Sequence, residues 1–116
     1  MAEQPDGLMQ VLLDGEAEFG DRHDAAMDLS AFDGEAVEKA LASVACDQSA
    51  DEDLADACGE SLAEIWCRRN SLSEGVVVKL VPASLRIALA TLRACSPALA
   101  TEAEFLISTK KPPATL

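Results

Sequence analysis

Between Asp51 and Arg69 the chain reads DEDLADACGESLAEIWCRR, a stretch without proline in which apolar residues return every three or four positions. At about 100° per residue, Leu54, Cys58, Ser61, Leu62 and Ile65 gather on one side of a helix. Asp53, Asp56, Glu60 and Glu64 form a separate stripe, spaced three, four and four residues apart. One face suits a core and the other a positive partner. Ser49 with Glu52 reads as a capping box for the start of this helix, and Arg68 and Arg69 suit its negative end.

The rest of the composition agrees with helices. Alanine occurs 21 times, aromatic residues make up 3% and tyrosine is absent, a mixture that favours closely packed helices. An all-α fold follows. With 116 residues, 49% of them hydrophobic, the chain has material for one domain and a real core without metals or disulfides. That domain is expected over residues 1–109, and 110–116, KKPPATL from Lys110, is expected as an extended tail because two prolines cannot continue a helix.

Taken in order, a loose end over Met1 to Gly7 should precede a short helix from Leu8 to Asp14. Glu18 to Phe32 reads as a second helix, with Ala25, Leu29 and Phe32 inward and Asp21, Asp24 and Asp28 along an adjoining edge. Asp33 and Gly34 separate it from a third, Glu35 to Cys46, in which Val37, Leu41 and Val44 face inward and Glu38 and Lys39 outward. Asn70 and Ser71 stop the central helix, and Ser71 with Glu74 offers a second capping box. Val76 to Val78 would suit a strand, but a lone strand has nothing to pair with, so a short helix is expected. Pro82 and Pro97, the latter behind a capping Ser96, mark the starts of two further helices, over Ala83 to Ala94 and on to about Ile107.

Cys46, Cys58, Cys67 and Cys95 lie inside these helices without a CxxC pair, and His23 is the only histidine, so buried reduced thiols are expected rather than a metal site. Cys67, beside Arg68, is the best placed of them to react. No apolar run approaches the roughly 20 residues that span a bilayer, and Met1 to Asp14 lacks the order of a signal peptide; the expected location is the cytosol, away from membranes. Charge is uneven. Residues 1–66 hold 18 acids against Arg22 and Lys39, whereas residues 67–116 hold 3 acids against 7 bases. An acidic front of this kind argues against direct nucleic-acid binding and suits a basic protein partner met by electrostatic steering, or serves solubility alone.

Chemistry has few footholds. His23 and Asp24 are consecutive and point about 100° apart on a helix, so they do not converge. Asp24 and Asp28 share a face but lack further oxygen ligands for a cation. A glycine-rich phosphate loop, GxSxG and HExxH are all missing, so neither an enzyme nor a cofactor is expected. Trp66, at the border of the apolar face, reads as a half-buried core residue, with a small-ligand pocket beside it as the other possibility.

Three helices repeat one pattern: Ala25, Leu29, Phe32; then Cys58, Leu62, Ile65; then Ala88, Leu92, Cys95, at intervals of 33 and 30 residues. Such periodicity marks stacked helical hairpins. In GDRHDAAMDLSAFDGEAVEKALASVACD followed by DEDLADACGESLAEIW the chain resembles HEAT-like α-solenoid proteins, over about Phe19 to Ala94. The resemblance implies a small right-handed stack of antiparallel helix pairs; the alternative is an irregular bundle of five or six helices. Some bacterial immunity proteins are HEAT-like solenoids. By that likeness the chain would be a non-enzymatic immunity protein or antitoxin, neutralising a basic toxin through Asp21, Asp24, Asp28, Asp53, Asp56, Glu60 and Glu64. An adaptor or regulatory scaffold is the other reading of the same likeness.

Overall fold

A computed structural model describes residues 4–110, and every regular element among them is a helix. In chain order these are α1 (Asp6–Leu13), α2 (Phe19–Asp28), which runs on into a 3-10 turn at Leu29–Ala31, α3 (Glu35–Ala45) and α4 (Glu52–Arg69). They are followed by α5 (Glu74–Val77), α6 (Pro82–Cys95) and α7 (Pro97–Lys110). The all-α expectation stands; of the valine run, Val76 and Val77 end the short helix α5 and Val78 is its C-cap. Asp6 begins α1 two residues ahead of the expected start, and Lys110 belongs to α7 rather than to a tail; 111–116 and 1–3 lie outside the described residues.

The caps of α4 show which local rules acted. Its N-cap is Asp51, whose carboxylate accepts from the backbone N–H groups of Asp53 at 2.8 Å and Leu54 at 3.4 Å. The expected Ser49–Glu52 capping box does not form, because the helix starts at Glu52 and leaves Ser49 two residues ahead of the cap, where its hydroxyl donates to Asp47 at 2.7 Å. At the other end Asn70 takes the left-handed conformation, φ 56° and ψ 42°, and Ser71 N–H reaches back to the Trp66 carbonyl at 3.1 Å. That six-to-one bond closes the helix as a Schellman turn. The second expected capping box is also absent: Ser73, not Ser71, is the N-cap of α5, and its hydroxyl is turned to Glu38.

Ten of the eighteen residues of α4 are buried, and they go beyond its apolar stripe. Leu54, Cys58, Ser61, Leu62 and Ile65 are buried as expected, but so are Ala55, Ala57, Gly59, Ala63 and Trp66. Small side chains on several faces let neighbouring helices approach α4 from more than one side. Ser61 donates to the carbonyl of Ala26 on α2 at 2.7 Å. On the α6 side, Ser84 packs directly over Gly59. The same Ser84 hydroxyl donates to the carbonyl of Ala45 at 2.6 Å, and Val81 N–H to that carbonyl at 3.0 Å, so the open end of α3 is satisfied by the start of α6.

Neighbours fall into rows. α2, α4 and α6 touch in sequence, α1 touches α3, and α5 touches α7, with α1 on α2, α3 on α4 and α7 on α6 joining the rows. A shortest dimension of 20 Å has room for two layers of helices, each about 10 Å across. No helix among the described residues is long and apolar enough to cross a membrane.

One expectation is overturned at the ends of α4 and α6. Cys67 and Cys95 form a disulfide, with Cα atoms 6.3 Å apart, whereas only Cys46 and Cys58 are free. Spacing along the chain carries no sign of this pair. It arises because α4 and α6 lie side by side and bring the cysteines in their last turns together.

Candidate functional site

The acidic stripe on α4 and the acidic edge on α2 come from helices that touch, so packing decides which of their carboxylates meet. Asp24, Asp53 and Asp56 do. With Phe19, Gly20 and His23 they line a shallow hollow of about 380 Å³. Asp21, Asp28, Glu60 and Glu64 lie along the same two helices without lining it. Asp21, Asp24, Asp28, Asp53 and Glu64 are exposed, and Asp56 and Glu60 are half-buried.

Among the described residues, none of these seven carboxylates forms an ion pair; the three pairs present are Arg68–Asp33, Arg69–Glu38 and Arg93–Glu104. Arg22, the one base on α2, is directed elsewhere, its Nε donating to the Leu12 carbonyl at 2.9 Å and tying α2 to α1. Among the described residues, these acids are therefore left without cations from their own fold. Phe19 at the rim is 45% exposed, an apolar surface inside an acidic one, and its ring lies 5.7 Å from the His23 ring at a 41° tilt. Among the described residues no three His, Cys, Asp or Glu side chains are grouped to hold a metal.

The densest polar network lies elsewhere, between α3, α4 and α5. Glu38, expected outward, is 7% exposed. One of its oxygens accepts from the indole N–H of Trp66 at 3.0 Å and from the Ser73 hydroxyl at 2.8 Å; the other accepts from Arg69. Arg69 also donates to Ser73 at 2.9 Å and to the Ser71 carbonyl at 2.9 Å. Arg68 grips the end of the 3-10 turn through Asp33 at 2.6 Å and the Ser30 carbonyl at 2.9 Å. Both arginines, expected only to complement a helix end, are thus structural clamps. Helical periodicity put Glu38 outside, but a signal for it existed: a buried indole N–H needs an acceptor, and Trp66 is fully buried rather than half-buried.

The free thiols are not poised for reaction. Burial pushes the Cys58 thiol up to about 12, against a weak opposing pull from Arg22, and burial likewise raises Cys46, which Lys79 partly offsets. Cys67, the expected reactive thiol, is held in the disulfide. Compared with protein-family models, curated proteins and solved structures, the chain finds no match.

Proposed function

We propose that this chain is a non-enzymatic protein-binding module that engages a basic partner through its acidic face, in the manner of an immunity protein or antitoxin. One observation carries the reading: Asp24, Asp53 and Asp56, from two helices, surround a hollow rimmed by exposed Phe19 and have no ion-pair partner among the described residues. A surface of unpaired carboxylates around an aromatic ring suits Lys or Arg side chains of a partner, with steering from the excess charge of residues 1–66. The rows of neighbouring helices support a HEAT-like stack of antiparallel pairs as the scaffold, with an irregular bundle as the alternative. The missing glycine-rich loop and metal-binding motifs leave the surface, not a reaction centre, as the functional part.

The test is affinity capture from the native lysate at low salt, comparing the natural chain with an Asp24→Lys, Asp56→Lys double variant whose helical circular dichroism is unchanged. A basic protein retained by the natural chain, and associating at least tenfold more slowly with the variant, is expected. Equal retention by both chains, or no basic protein retained by either, overturns the proposal. If the captured protein is an assembly component rather than a toxin, the adaptor reading replaces neutralisation.

A further inference from the structure

Between α3, α4 and α5 lies a second hollow, of about 570 Å³, within the roughly 300 to 1,000 Å³ that small-molecule sites occupy. Ala42 and Val76 supply its apolar lining, over the fully buried Ile65. Its charged residues balance, Asp33, Glu35 and Glu38 against Lys39, Arg68 and Arg69, in a chain whose net charge is -12. Four of the six are already engaged, Arg68 with Asp33 and Arg69 with Glu38, and these clamps stiffen the walls.

The other two are Glu35 and Lys39. Both are exposed, both line the hollow, and among the described residues neither forms an ion pair. They stand four residues apart on α3, one turn from each other. An unengaged carboxylate and ammonium at that spacing, beside an apolar lining, are complementary to a ligand with adjacent charges of both signs and an apolar body. A simple anion would have to approach against the net charge, and a simple cation would leave Lys39 unmatched. We propose that this hollow binds a small zwitterion of the apolar α-amino-acid class. Glu35 receives the ammonium, Lys39 the carboxylate, and the half-buried Ala42 and Val76 the side chain. The site is separate from the acidic face and does not depend on its role.

The probes are L-leucine, 4-methylpentanoate, which lacks the amine, and 3-methylbutylamine, which lacks the carboxylate, each titrated calorimetrically into the full chain. Saturable one-to-one binding of leucine is expected, with each truncated probe at least tenfold weaker, about 1.4 kcal/mol. Glu35→Gln and Lys39→Gln, both at exposed positions, should each weaken leucine by a similar factor without changing the melting temperature. Trp66 is the only tryptophan, and its indole N–H bonds Glu38 in the wall, so its indole resonance should shift as leucine is added. Absence of leucine binding at millimolar concentration, a truncated probe that matches leucine, or variants that bind leucine as the natural chain does would overturn the proposal.

Discussion

At Gly59 the backbone of α6 lies tightly against α4. A Cβ added there would lie 2.5 Å from the Ser84 carbonyl oxygen and 2.8 Å from its Cα, and this is backbone that cannot swing aside. Helix propensity alone favours Gly59→Ala by about 0.8 to 1.0 kcal/mol, whereas overpacking a tight contact costs about 1 to 3 kcal/mol. The second term wins. The urea midpoint of Gly59→Ala should fall, and a rise would show that the two helices can part without loss. Cys58 gives a residue-scale dependence on pH. Its thiol titrates near 9.0 when unfolded and at about 12 when folded, so from 9.0 upward the unfolded chain releases a proton that the folded chain keeps. The stability this contributes is complete below 9.0 and is lost as pH rises towards 12. Cys58→Ala should flatten that alkaline decline in a series of denaturation curves, and an unchanged slope would assign it to other groups.

At the scale of elements, α4 illustrates how far local rules reach. Its extent, its inward stripe and its stop at Asn70 follow from periodicity and from the tolerance of asparagine for the left-handed region. Its first turn departs from the expected Ser49–Glu52 box: the helix starts at Glu52, so Asp51 takes the cap position and Ser49, two residues earlier, bonds Asp47. Asp51→Ala should therefore lower stability by about 0.5 to 2 kcal/mol, while Ser49→Ala should change it by a few tenths at most. The reverse order in thermal melts would restore the capping box. On α3, the pattern that correctly buried Val37, Leu41 and Val44 placed Glu38 outside. Arg69, Ser73 and Trp66, contributed by elements that follow, turned that position into a buried acceptor.

For the molecule as a whole, the disulfide staples the ends of α4 and α6 across 28 residues. Closing a loop of that length in the unfolded chain is worth about 3 to 4 kcal/mol in the chain-entropy account. Reduction, or Cys67→Ser with Cys95→Ser, should lower the melting temperature clearly while leaving helical content near native. A melt insensitive to reduction would mean that packing of α4 on α6 supplies the constraint by itself. Charge acts at the same scale. Of the acids that dominate residues 1–66, Asp21, Asp24 and Asp28 lie on α2 and Asp53, Asp56, Glu60 and Glu64 on α4, whereas the exposed bases Arg68 and Arg69 are tied to loop carbonyls and to Glu38.

By itself the sequence determined the all-α class, the approximate helices, the buried faces of α2, α3 and α4, and the existence of an acidic surface. These depend on periodicity, propensity and charge, which act within a few residues. Only the tertiary structure decided that Asp24 meets Asp53 and Asp56, that Cys67 pairs with Cys95, that Glu38 is buried beneath Trp66, and that Gly59 must lack a side chain. Each of these joins positions more than 20 residues apart, and the distance between them is set by how helices pack against α4, which no local pattern encodes.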